Sequence, residues 1–144
     1  MVDCDYPPQA IHVFLSFDGD QVDELYLGTL RALGVADFPK DIPTSFDIEY
    51  RGSQFTISRF PHGGKRNCQK MTFAQIDKTY SQYIYLRDDM FVLFIDSDCI
   101  LDEVCIQNFM YDMELSPKNK QNMLAMTGRL IDFRLLSVAN VLQA

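Results

Sequence analysis

A chain of 144 residues carrying 20 acidic and 13 basic side chains has the size of one domain and a net charge of −7, which argues against binding nucleic acid. With 47% hydrophobic and 23% charged residues it is globular rather than disordered in composition. The four cysteines (Cys4, Cys68, Cys99 and Cys105) lack C-x-x-C spacing and are too few for a disulfide framework, so reduced thiols are expected.

In chain order, residues 11–17 (IHVFLSF) form an apolar strand ending at Asp18-Gly19-Asp20. Asp20 is placed to cap a helix on which Val22, Leu25, Leu30 and Leu33 recur, with Gly34 at its carboxyl end. FDIEY (46–50) and QFTISRF (54–60) flank Arg51-Gly52-Ser53 and read as strands in a hairpin or in neighbouring positions. Pro61-His62-Gly63-Gly64-Lys65-Arg66 leads into a helix of about 18 residues carrying Met71, Phe73, Ile76, Tyr80 and Tyr83. Another helix opens at Asp102, and MLAMTG (123–128) reads as a last strand.

Between those two helices, Met90 to Leu101 read MFVLFIDSDCIL. Six apolar residues bounded by charge predict a strand buried on both faces, with Asp96 and Asp98 at its end and on one side. Two carboxylates held that close repel, and each gains from a divalent cation beside it. The pattern of alternating strands and helices predicts an α/β fold with a mostly parallel sheet covered by helices on both faces. Asp18-Gly19, Gly63-Gly64-Lys65 and Asp96-Ser97-Asp98 each follow a predicted strand, so they are expected to converge on one crevice at the carboxyl ends of the strands.

Each motif has a plainer reading. Asp-Gly after a strand also makes an ordinary turn, and Gly63-Gly64 can be a glycine turn beside a solvated cation. The segment lacks the G-x-x-x-x-G-K-[ST] spacing of a nucleotide-triphosphatase loop. His12 and His62 have no ligand-like spacing and read as structural. A strand ending in D-x-D also opens the haloacid-dehalogenase phosphatases, where Asp96 would be nucleophile and Asp98 acid/base. Those enzymes carry the motif early in the domain, whereas here it falls in the last third.

Taken in order, VFLSFDGD, TLRALGV, GGKRNCQ and MFVLFIDSDCILDEVCIQNF resemble the catalytic domain of chitin synthases, processive inverting enzymes of glycosyltransferase family 2. The likeness covers about residues 11–128, and residues 129–144 diverge, so the chain reads as a partial, GT-A-like catalytic domain, truncated or mis-spliced near Gly128. The resemblance implies transfer of N-acetylglucosamine from UDP-N-acetylglucosamine to a growing β-1,4-linked, chitin-like polysaccharide. It implies Mg²⁺ or Mn²⁺ held by Asp96 and Asp98, and a sugar nucleotide held by Asp18, Gly19, Lys65, Arg66 and Asp96. It carries over no catalytic residue, because the acceptor-site Glu-Asp and Q-x-x-R-W segments are not found. Whole family members are embedded in the plasma membrane, face the cytosol with this domain and can oligomerise. This sequence holds no stretch near the ~20 apolar residues of a membrane span and no basic leader. A partial domain is expected to leave apolar residues, such as those of the 135–142 tail, without partners. The competing expectations are a non-catalytic sugar-nucleotide-binding or inert fragment, and the phosphatase.

Overall fold

Alternating apolar and polar positions build the sheet. In a computed structural model, which describes residues 4–35, 41–83, 90–96 and 99–115, the elements are β1 (His12–Asp18), α1 (Glu24–Ala32), β2 (Ser45–Tyr50), β3 (Ser53–Phe60), α2 (Lys65–Tyr80) and α3 (Cys105–Met110). One π-type turn, Tyr111–Leu115, follows α3. The chain forms two compact units, one spanning residues 9–94 and the other combining residues 1–8 with those from 95 onward.

The first unit contains a sheet of order β1-β3-β2. β1 runs parallel to β3, with His12 opposite Gln54 and Asp18 opposite Phe60. β2 runs antiparallel to β3, with Ser45 opposite Ser58. The expected helix-covered α/β layer is present, but the sheet is mixed rather than mostly parallel. The reason is the two-residue hairpin turn: Arg51 (φ 50°) and Gly52 (φ 80°) both take positive φ, the conformation whose twist matches an antiparallel pair.

The two sheet faces differ sharply in chemistry. One carries Leu15 and Phe17 from β1, Phe46 and Ile48 from β2, and Ile57 from β3, and packs against Tyr26 and Leu30 of α1. Leu30 and Ile57 are fully buried. The opposite face carries His12, Ser16, Ser45, Asp47, Thr56 and Ser58, and α2 lies across it through hydrogen bonds. Thr72 Oγ1 is 2.7 Å from Ser16 Oγ, while Gln75 accepts from Ser58 at 2.8 Å and donates to Ser45 at 2.6 Å. No residue of α2 is buried.

α1 starts one turn later than Asp20 would dictate. Asp23 is the cap, its Oδ1 accepting from Tyr26 N at 2.8 Å, because the Asp20 carbonyl is engaged elsewhere, by Arg59. The helix ends as expected at Gly34 (φ 80°): Gly34 N donates to Arg31 O and Val35 N to Leu30 O, both at 3.0 Å, the paired bonds of a Schellman motif.

The expected strand over 90–95 does not form. Residues 90–96 carry no regular structure, and Phe91, Val92, Leu93 and Phe94 are all exposed. A strand buried on both faces needs a ladder partner, and this run joins none of the strands in the sheet. Phe94 instead leans on Phe73 of α2, with ring centroids 5.0 Å apart. Residues 91–94 thus present apolar side chains to solvent, while the tail in which unpartnered apolar residues were expected and the MLAMTG segment lie outside the described residues.

In the second unit the helix expected to open at Asp102 begins at Cys105, with Val104 at the N-cap position and no side-chain cap; Asp102 forms the turn ahead of it, its Oδ1 accepting from Val104 N at 3.1 Å. Asp5 N donates to Glu103 O at 2.7 Å, which ties the amino-terminal residues to this helix start. Among the described residues no helix is long and apolar enough to cross a membrane.

Candidate functional site at the strand ends

Parallel pairing brings the carboxyl ends of β1 and β3 side by side, and the two predicted motifs after them meet there. Asp18 closes β1, and its Oδ1 accepts from Gly63 N at 2.9 Å. Gly64 N donates to the same carboxylate at 3.2 Å to Oδ1 and 3.0 Å to Oδ2. His62 Nδ1 lies 3.1 Å from Asp18 Oδ2. Residues 45 positions apart in sequence are thus joined, and Asp18 acts as a cap, supplied by another strand, for the start of α2.

This changes the role expected of the glycines. Their amides were offered to a phosphate, and in the structure the Gly63 and Gly64 amides point at a carboxylate of the chain itself. The turn still demands glycine. Gly64, the residue before α2, has φ 82°, and a Cβ on Gly63 would come within 2.5 Å of Asn67 Nδ2. Lys65 and Arg66 stand on the first turn of α2 with exposed side chains. Gly19, just past Asp18, faces open space, since a Cβ there would meet nothing within 4 Å.

The remaining predicted residues fall in the second unit. Asp96 is exposed and its carbonyl accepts from Cys99 N at 3.0 Å; Asp98 lies outside the described residues. The premise that Asp96 is buried at the end of a core strand is corrected by its exposure. Among the described residues, no group of three or more His, Cys, Asp or Glu could hold a metal by itself. Asp96 and Asp98 are nevertheless hard oxygen donors, the type that completes a Mg²⁺ shell jointly with substrate phosphates rather than as an all-protein cage.

Two groups were missed or undervalued in the sequence. Arg59 is 6% exposed, and its guanidinium donates to Asp20 O, to Ile42 O at 2.8 Å and to Pro43 O at 3.4 Å while stacking 4.9 Å from the Tyr26 ring centroid. Its one available signal was a cation in alternation with Phe55 and Ile57, on the apolar face of the strand. His12, expected to be structural, joins a chain of side chains on the α2 face. Thr56 donates to Asp47 at 2.5 Å, so it accepts from His12 Nε2 at 2.8 Å and leaves Nδ1 to accept from Tyr80 Oη at 2.6 Å. Burial holds the His12 imidazole below its ordinary pKa, with Asp47 pulling the other way. The Cys68 thiol, near Asp18, is pushed up by burial and by that carboxylate, both of which disfavour the thiolate.

At the carboxyl ends of β1 and β3 this α/β chain carries a capped glycine turn, two exposed basic residues and an open glycine. Sequence comparison gives the family. Over 128 residues, 89% of this chain, the sequence is 65% identical to chitin synthase 7 of Pyricularia oryzae and 62% identical to chitin synthase 7 of Verticillium dahliae. Over the same length it is 58% identical to chitin synthase D of Aspergillus fumigatus. The chain is a homologue of the chitin synthases. It spans 16% of the first of these relatives, 18% of the second and 17% of the third. No family model and no solved structure matches it.

Proposed function

We propose that the chain carries the donor-side part of a chitin-synthase glycosyltransferase domain with a GT-A-like core. The whole enzyme would move N-acetylglucosamine from UDP-N-acetylglucosamine to a growing β-1,4-linked chain at the plasma membrane. The observation that carries this reading is the Asp18–Gly63–Gly64 junction, which fixes Gly19 and the Lys65-Arg66 helix start at one sheet end in a homologue of chitin synthases. Asp18 would accept from the nucleoside through Oδ2 in exchange for its contact with His62. Lys65 and Arg66 would meet the diphosphate as charge-assisted donors, and Gly19 leaves room for the nucleotide to lie close to the backbone.

Asp96 and Asp98 would hold Mg²⁺ or Mn²⁺ together with the diphosphate. The cation would supply charge neutralisation of the departing UDP. In this reading the exposed run 91–94 belongs to a larger sheet completed by other parts of the long relatives. No acceptor-activating base is assigned here, so the proposed contribution of these residues is donor binding.

Calorimetric titration with UDP tests the reading. Binding is expected to be weak and to need Mn²⁺, since diphosphate and carboxylates repel without a bridging cation. Asp98→Asn should remove the metal dependence, and Lys65→Ala should weaken binding by about 1–3 kcal/mol. Gly19→Ala should weaken it without lowering the melting temperature, because the added methyl clashes with nothing but a ligand. UDP binding that ignores both Mn²⁺ and Lys65 would sink the proposal. Phosphate release from a test ester, lost on Asp96→Asn, would favour a dehalogenase-type phosphatase instead.

A further inference from the structure

We infer that Arg59 is a positioning residue for the donor end of the sheet, its buried guanidinium locking the loop after Asp18 to the segment ahead of β2. What the loop receives rests on the sugar-nucleotide reading above; the lock itself is geometric. Arg59 sits among apolar neighbours, on the same face of β3 as Phe55 and Ile57, where a hydrophobic side chain would pack on Tyr26 without desolvating a charge. The guanidinium is only partly repaid there, since its Nε is buried without a hydrogen-bond partner. A residue kept for stability alone would not need that arrangement.

What the fork holds explains it. One arm grips the carbonyl of Asp20, two residues past Asp18, and the other grips the carbonyls of Ile42 and Pro43. The Arg59 backbone N–H adds a bond to Thr44 O at 2.8 Å, so side chain and main chain fasten the same segment. Neither the 19–22 stretch nor the 41–44 stretch belongs to a helix or strand. The planar fork therefore supplies what regular structure does not: a fixed exit direction for the chain after Asp18, and so a fixed Gly19. A lysine has one point of charge and cannot span both segments.

Hydrogen exchange read by mass spectrometry, with UDP titration in Mn²⁺, on the full chain tests this in wild type, Arg59→Lys, Arg59→Met and Leu30→Ala. Both Arg59 variants should speed exchange in peptides covering 18–21 and 41–44 by at least about tenfold and weaken UDP by a similar factor, lysine included although it keeps the charge. Leu30→Ala, which loosens the same apolar layer, should leave UDP affinity unchanged at temperatures where it is folded. If Arg59→Met does not fold, Arg59→Lys carries both readouts. Unchanged exchange in the two segments, or an Arg59→Lys variant indistinguishable from wild type, would overturn the inference. A wild type that does not bind UDP would sink the sugar-nucleotide reading, while exchange would still judge the lock.

Discussion

The two faces of one small sheet are built on different physics. Toward α1, Ile57 and Leu30 are sealed from water and the layer is held by apolar burial. Toward α2, hydroxyls, an amide, an imidazole and a phenol are matched pair by pair, and no α2 residue is buried. Burial is non-directional and strong, whereas a protein hydrogen bond nets roughly 1 kcal/mol but fixes orientation. The α1 face therefore supplies stability. The α2 face supplies register, and α2 carries Lys65 and Arg66 at its start, where register decides what they can reach.

The sharpest way to break that contrast is by truncation on each side. Ile57→Ala should cost about 2–5 kcal/mol of unfolding free energy, the range for a sealed aliphatic side chain. Gln75→Leu, which leaves the Ser58 and Ser45 hydroxyls only each other and one O–H without an acceptor, should cost about 1–3 kcal/mol. Urea unfolding of both variants checks the order, and a larger loss for Gln75→Leu would reverse the account of which face stabilises. Of similar size is Gly64→Ala, expected to cost about 1–3 kcal/mol because φ 82° with ψ 165° is a backbone region essentially reserved for glycine. Amide exchange should show that loss concentrated at the start of α2.

The smallest effect concerns pH and belongs to the polar face alone. Burial depresses His12 from its ordinary value of 6.5, so the folded chain resists a proton that the unfolded chain accepts. Above that value both states are neutral there; as pH falls below it toward the folded pKa, stability is lost. Wild type should therefore lose more stability than His12→Gln between about pH 7 and about pH 5.5. Equal losses would show that the imidazole is not a neutral link between Thr56 and Tyr80.

Much of this arrangement was legible in the sequence because it is local. β1, the β2–β3 pair, the Gly34 helix stop and the helix after Gly64 follow from periodicity and turn chemistry within a few residues of each. The convergence of Asp18 with Gly63 and Gly64 was expected from strand ends, but not the role, since a carboxylate capping a helix 45 residues away leaves no short-range trace. The run 90–95 misled for a related reason. Six apolar residues state that the segment can be buried, and only a ladder partner decides whether it is a strand. Asp23 displaced Asp20 as cap because a distant arginine had claimed the Asp20 carbonyl.

The most direct test of the donor-site account is an amide NMR titration of the chain with UDP and Mg²⁺. The account predicts that, within the sheet-bearing unit, the largest shifts fall on Gly19, Gly63, Gly64 and Lys65, that they vanish without the cation, and that the Tyr26–Leu30 side of the sheet stays still. Shifts centred elsewhere, or a spectrum unchanged at saturating UDP and Mg²⁺, would contradict it.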